Sequence, residues 1–403
     1  MLTSFSLARR SAVFVVVALG YLLSQFYRSF LTVIADDIMR DLVMGPKEFG
    51  ALGSAWFFAF SLSQFAVGMA LDKYGPRGTI GGMMLAAVGG AFLFSAAPTH
   101  GIAMVAMALI GVGCAPILMG ALYFFAKTEP PKRFATLGSV FLACGLIGGL
   151  IAARPLAMLV DAVGWRASIQ ITGVFTAFVA ALVLIVVRNP ASEPAPAGGS
   201  LIGDIVAIIK LPAFWPILVM SFAISGPVFT ERSLWVGPYY GAVYGLDLLS
   251  RSNAVQALAV AMTLSAILAG PIAGRLDNSK AVVLFGNLVC GLAFVALGLW
   301  TTAPLVGSLA LMGIVGLTGV TYAVLIAHGR LFMPSHVIGR GITFINFVSI
   351  GGTGVTQLVS GIMVDQMKGA GLPPVAIYAN LHLAFGAFLL ISTAIYMLSR
   401  RRP

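Results

Sequence analysis

Gly68-Met69-Ala70-Leu71-Asp72-Lys73-Tyr74-Gly75-Pro76-Arg77 separates two long apolar runs, 49–71 and 79–97. The Gly-Pro step marks a tight connection. Lys73 and Arg77 suit a membrane interface, and Asp72 at a helix end can pair with a base or accept from a helix N-terminus. The chain repeats the pattern 202 residues later in Gly270-Pro271-Ile272-Ala273-Gly274-Arg275-Leu276-Asp277. A second echo joins Arg133-Phe134-Ala135-Thr136 to Arg340-Gly341-Ile342-Thr343 at an offset of 207. Two echoes at nearly one offset, in equivalent connections, point to a chain built from two repeats.

The rest of the chain says which solvent those repeats live in. Hydrophobic residues make up 59% of the 403 and charged residues only 9%, against about 25% charged in soluble domains. No water-soluble core could hide that much apolar surface, so most of the chain faces lipid. The net charge of +11 is spread singly between apolar runs, which gives no basic domain and no expectation of nucleic acid. Cys114, Cys144 and Cys290 all lie in apolar runs, which excludes a disulfide scaffold.

A bilayer core about 30 Å thick takes roughly 20 residues per helix. Twelve segments qualify: 11–35, 49–71, 79–97, 101–126, 135–160, 167–187, 213–238, 253–274, 281–300, 305–327, 341–364 and 376–398. These runs are too long for β-barrel strands. The first carries Arg28 and lacks a small-residue cleavage site, so it is a transmembrane helix rather than a signal peptide. With the N-terminus inside, sixteen Lys and Arg fall on the cytoplasmic side. Five (Arg40, Lys47, Arg166, Arg251, Lys368) fall outside, and Arg28, Arg154 and Arg232 lie within helices. The expectation is a multi-pass protein of the plasma membrane, of bacterial inner-membrane type, with both termini cytoplasmic. Residues 188–200, rich in Pro, Ala and Gly, read as a linker. The following 201–211 stretch reads as a short interfacial helix. The domains are then 1–187, a linker at 188–212, and 213–403.

At this point the chain resembles the major facilitator superfamily. Gly68, Asp72, Lys73, Gly75 and Arg77 are similar to that family's signature connection between helices two and three. Gly111-Val112-Gly113 in the fourth segment and Gly164-Trp165-Arg166 before the sixth also fit its pattern. Met107 stands where the family often carries an arginine. The resemblance implies an all-α membrane protein with twelve transmembrane helices in two pseudo-symmetric six-helix bundles. It implies that the signature residues act as a conformational latch, and that helices one, four, seven and ten line a central cavity.

A charge inside a membrane helix costs on the order of 2.5–3.5 kcal/mol at the centre. Arg28, Arg154, Glu231 and Arg232 accept some of that cost, 17 to 19 residues from the cytoplasmic ends of their segments. Arg28 and Arg232 are 204 apart, equivalent positions in the two repeats. Guanidinium groups bind carboxylate or phosphate bidentately and keep their charge, and the family resemblance places the two on opposite walls of its pathway. Tyr21, Gln25, Arg28 and Thr32 recur at helical spacing, as do Ser221, Ser225 and Arg232, with Trp235 next along that face. Asn346, Ser349, Thr353, Gln357 and Ser360 form a third stripe. Stripes containing Asn, Gln and Arg are expected to face water. Tyr27, Tyr123 and Tyr322 are further candidates for substrate contact, and Glu231 is the candidate proton carrier. His382 reads as structural on a peripheral helix, and His328 and His336 as loop residues. Gly148-Gly149 and Gly351-Gly352-x-Gly354 permit close helix approach.

No phosphate loop, metal cluster or hydrolase triad is present in the sequence, so neither cofactor nor catalysis is expected. The leading reading is a monomeric secondary transporter of a small organic anion, a carboxylate or phosphate ester, balanced by a proton or a counter-anion. The alternative is a proton-driven exporter of drugs or metabolites. That reading calls for acids in the first or fourth segment and a Gly-Pro motif in the fifth, where the chain has Ala153-Arg154-Pro155. Nitrate transport calls for arginines in the second and eighth segments, which are absent. A sensory or assembly protein would bring a sizeable soluble domain.

Overall fold

The computed structural model describes residues 7–190, 209, 214–333 and 338–400. Among them there is no strand. The first half runs α1 (Leu7–Tyr27), α2 (Leu31–Asp41), α3 (Pro46–Ser95), α4 (His100–Cys114), α5 (Pro116–Thr128), α6 (Pro131–Ile151) and α7 (Arg154–Val186). The second half begins with α8 (Trp215–Ile224), α9 (Gly226–Thr230), a π-helical turn (Glu231–Trp235) and α10 (Val236–Tyr244). It continues through α11 (Leu248–Leu276), α12 (Ser279–Leu299), α13 (Leu305–Thr318), α14 (Tyr322–Arg330), α15 (Ile338–Gly369) and α16 (Pro374–Met397). Sequence chemistry sets several starts. Thr99 accepts from the Ile102 amide at 3.5 Å, Asp247 from Ser250 at 3.0 Å and Asn278 from Ala281 at 3.1 Å. Proline opens α5, α6, α7 and α16, where its missing N–H has no helical partner to lose.

Nine helical stretches among the described residues are long and apolar enough to cross a membrane. The longest, Pro46–Ala96, has 51 residues, about 75 Å at 1.5 Å per residue, more than twice a bilayer core of about 30 Å. It breaks at Gly75, with φ 68° and ψ 176°, a region open essentially to glycine alone. The signature stretch is therefore not an extended loop. Helix continues to Tyr74, turns at one glycine and resumes at Pro76. Gly164 (φ 79°, ψ 161°) does the same inside α7.

Several segments read as continuous are interrupted, among them the fourth, seventh and tenth, and two more break beside an arginine. The fifth ends at Ile151 and restarts at Arg154, because the Pro155 ring cannot follow an uninterrupted turn. Arg154 thus opens a helix rather than lying within one. The first breaks after Tyr27, and Arg28 sits in the break. Apart from Ile209, the interfacial helix expected at 201–211 lies outside the described residues, as does most of the 188–200 linker.

The chain divides into two compact units. Unit 1 is Met1–Met44 with Ala55–Pro196, and unit 2 is Gly45–Ser54 with Ala197–Pro403. In unit 1, α6 packs along α1, and Gly148 meets the Leu22 backbone so closely that a Cβ would overlap it. Gly111 meets the Trp56 backbone in the same way. In unit 2, α12 packs along α16, Gly352 abuts the Phe222 backbone, and Gly50 meets Gly361. The glycine clusters are used for close approach, as the sequence suggests.

Candidate functional site

In unit 1 the first span is distorted where its charge sits. The Ser29 hydroxyl donates back to the Gln25 carbonyl at 3.3 Å, a local bond that competes with the helical ladder and bends it. Arg28 emerges half-buried at this point, its guanidinium 5.1 Å from the Trp56 ring centroid and 5.2 Å from that of Phe60. Such contacts are worth on the order of 0.5–2 kcal/mol and help hold a cation at this depth. Gln25 is half-buried, its amide 3.4 Å from the Tyr21 hydroxyl. The other members of the expected stripe point inward. Tyr21 stacks on Phe141 at 4.9 Å, and Thr32 is fully buried. Tyr27 is buried too, with its hydroxyl 2.9 Å from that of Thr176 on α7. Tyr123 is half-buried on α5, and Arg154 is exposed at the start of α7.

Unit 2 repeats the distortion. Ser233, 204 residues after Ser29, donates to the Phe229 carbonyl at 2.5 Å, and Phe229 is 204 after Gln25. Here the result is the π-helical turn, with Arg232 half-buried and Glu231 completely buried. The repeat thus places an Arg-Ser pair at a helix defect in both units.

The polar stripe of the eleventh segment does not line water as expected. Much of it is zipped against the seventh: Ser221 donates to the Ile345 carbonyl at 3.0 Å, and Ser225 and Ser349 share a bond of 2.8 Å. Gln357 donates to Ser233 at 2.7 Å and Trp235 to Ser360 at 2.9 Å. Partners advance together by 124 or 125 residues, the mark of two parallel helices in register. Gln357 and Thr353 are accordingly buried, while Asn346 stays half-buried and accepts from the Tyr322 hydroxyl at 2.7 Å.

His382, read as structural, lies against the candidate proton carrier. Fully buried on α16, its Nε2 lies 3.5 Å from Oε2 of the fully buried Glu231. Neither carboxylate oxygen and neither ring nitrogen has a hydrogen bond of ordinary geometry. The Tyr239 ring lies edge-on to the imidazole at 4.9 Å. His328 is likewise no loop residue. It is buried in α14, 2.6 Å from the Tyr396 hydroxyl and 3.0 Å from the Arg400 carbonyl. It also borders a cavity of about 580 Å³ with Gly274, Asp277, Asn278 and Val324, which none of the candidate substrate residues line. His336 lies outside the described residues.

The latch residues lie at one end of unit 1. Gly68, Asp72, Lys73 and Arg77 are exposed, with Lys73 5.1 Å from the Tyr74 ring. Asn189 closes the turn, accepting from the Arg77 amide at 2.9 Å and donating to the Tyr74 carbonyl at 2.8 Å. Its side chain occupies the space a Cβ on Gly75 would need. Arg77 donates to the Leu184 carbonyl at 2.7 Å, in the last turn of α7. At the opposite end of the same helices Arg166 donates to the Ser95 and Ala97 carbonyls at 2.7 and 3.0 Å. Trp165 donates to Asp41 at 2.8 Å. That bond, with help from Arg40, holds the Asp41 carboxyl below its ordinary range. Asp247, capping α11 through Ser250, is lowered as well.

A profile of the Major Facilitator Superfamily matches residues 17–356. A probable hexose phosphate transport protein of Chlamydia pneumoniae is 24% identical over 174 residues, which is 41% of this chain and 36% of that protein. The matched stretch therefore spans about a third of that relative. The fold is that of a bacterial homolog of the human lysosomal transporter Spinster, solved inward-facing and unoccupied. The TM-score is 0.80 at 17% identity, over 98% of both chains. It is also that of the nucleoside transporter NupG, with a TM-score of 0.78 at 14% identity over 96% of this chain and 99% of that one.

Proposed function

The chain belongs to the major facilitator superfamily, and on that premise we propose that this membrane transporter carries a small organic anion by secondary active, alternating-access transport. The substrate is a carboxylate or phosphate ester, moved in a bacterial-type inner membrane with both termini cytoplasmic. The observation that carries the reading is the paired Arg-Ser defect. Each unit holds one half-buried guanidinium at an interrupted span, Arg28 against Trp56 and Phe60, and Arg232 in the π-helical turn. An arginine at a helix defect is a fixed positive charge with a fork of donors, which suits an anion and repels a cation. The partial likeness to a probable hexose phosphate transport protein supports the same class.

Arg28 of unit 1 and Arg232 of unit 2 are the leading substrate-binding candidates. Gln25, Tyr123, Tyr322, Asn346 and Arg154 remain secondary candidates, whereas Tyr27 and Gln357 have buried partners within their own units. Glu231 carries the coupling proton. Gly68, Asp72, Lys73, Gly75 and Arg77 form the latch, so Asp72→Asn lowers flux sharply while the protein still folds.

The deciding experiment is counterflow in proteoliposomes with hexose phosphates, dicarboxylates and cationic drugs. Wild type carries one of the anions. Arg28→Lys and Arg232→Lys keep the charge but lose the planar fork, and affinity falls about tenfold or more in each. Near-normal anion flux in both lysine variants defeats the arginine assignment, and drug flux without anion flux turns the reading to an exporter.

A further inference from the structure

In a protein whose charged residues are few, unit 2 buries two titratable side chains against each other at the π-helical break of the seventh span. Glu231 and His382 are 151 residues apart in sequence, both fully buried, with Oε2 and Nε2 separated by 3.5 Å. Buried polar groups in apolar surroundings are costly unless paired, and a histidine opposite a carboxylate is weak evidence for stability alone. The internal repeat supplies the control. Tyr27 is 204 residues before Glu231, and Thr176 is 206 before His382. In unit 1 residues at nearly the repeat offset join the first span to the sixth through a neutral hydroxyl bond of 2.9 Å. The fold does not require ionisable groups there.

We infer that Glu231 and His382 form one proton-binding unit, and that His382 is the second half of the site that couples proton to substrate. This rests on the anion-transport reading for its substrate but not for its proton chemistry. With one proton the pair is neutral, either carboxylic acid beside imidazole or carboxylate beside imidazolium. Releasing that proton leaves a single negative charge, which Arg232, the next residue, offsets. Adding a second proton instead sets a positive charge beside Arg232. The pair therefore cycles between one proton and none. An anion bound at Arg232 removes the offset and makes the pair take the proton up, and by reciprocity a protonated pair favours the anion.

The neighbouring elements fit this assignment. Tyr239 of α10 lies edge-on to the imidazole, with the Tyr378 ring of α16 at 5.4 Å and the Tyr240 ring at 4.8 Å from its own. Arg251 of α11 is buried beside Gly241, Cys290 is buried on α12, and Asp365 and Lys368 lie at the far end of α15. Among these groups Glu231 and His382 are the ones in mutual contact at the helix defect.

The test is infrared pH-difference spectroscopy on unliganded purified protein, joined to flux in proteoliposomes. In wild type a carboxylic-acid band and an imidazole band change together in one step. Glu231→Gln removes the first and displaces the second. His382→Gln changes the proton affinity reported by the carboxylic-acid band about tenfold. In vesicles, His382→Gln and Glu231→Gln each lose about tenfold in the ratio of pH-driven accumulation to counterflow. If His382→Gln fails to fold, the Glu231→Gln/His382→Gln double variant, with two amides able to bond each other, takes its place. Independent titration of the two bands, or full pH-driven accumulation in His382→Gln, overturns the inference. Absence of anion counterflow in wild type defeats the transport reading instead and leaves the spectroscopic result to stand or fall alone.

Discussion

The two units solve the same packing problem with different chemistry. Where span one meets span six, unit 1 uses Tyr27 and Thr176; where span seven meets span twelve, unit 2 uses Glu231 and His382. The helix ends differ too. In unit 1 two Gly-x-Arg turns clasp spans three and six reciprocally, Arg77 reaching the end of one and Arg166 the end of the other. In unit 2 Lys280, 203 residues after Arg77, takes the first role by donating to the carbonyls of Met397, at 2.8 Å, and Ser399. Among the described residues the second end has no such arginine. There Tyr244 donates to the Ala303 carbonyl at 2.9 Å, just past the end of α12. Helix ends with unsatisfied carbonyls must be capped by something, and any suitable donor suffices. A buried joint between helices needs only one neutral bond. The departure that packing does not explain is the ionisable pair.

Transplanting the difference gives the largest effect. Tyr27→Glu puts a carboxyl opposite Thr176 with no imidazole to share its proton, and destabilises unit 1 by about 3 kcal/mol or more. Thermal unfolding measures it, and a variant as stable as wild type shows that the joint does not discriminate charge. Gly75→Ala comes next. Any side chain at that φ and ψ costs about 1–3 kcal/mol, and here the Cβ also collides with Asn189. Gly164→Ala pays the strain alone, because nothing lies within 4 Å of its Cβ. Comparing the two melting temperatures isolates the Asn189 contact; equal losses show that Asn189 yields freely. Tyr27→Phe is milder, at about 1 kcal/mol, because Thr176 keeps its bond to the Thr172 carbonyl at 2.7 Å.

The smallest effect is one of pH. Asp41 has a lowered folded value, first through its bond from Trp165. Its contribution is therefore present above the unfolded carboxyl value of about 3.9 and is lost as pH falls through the lower folded value. Trp165→Phe flattens the acid limb of the stability curve below about pH 4, and an unchanged acid limb removes Asp41 from the clasp of unit 1.

The sequence by itself determined the solvent, the helical class and the repeat. Hydropathy and residue spacing are properties of a single segment, and they need no partner to be read. The offset of 204 between Arg28 and Arg232 belongs to the same layer, as does the glycine at position 75 that only a turn of unusual φ requires. Tertiary structure alone decided which side chains meet. The polar stripe of the eleventh segment was legible as a stripe, but whether it faced water or the seventh helix depended on which helix lay beside it. Asn189 was silent because its role exists only where the end of α7 returns to Tyr74 and Arg77. His382 looked peripheral because its helix number was all that the sequence supplied. Glu231 and His382, 151 residues apart, come within 3.5 Å only through helix packing, and no local pattern encodes a contact made across that distance.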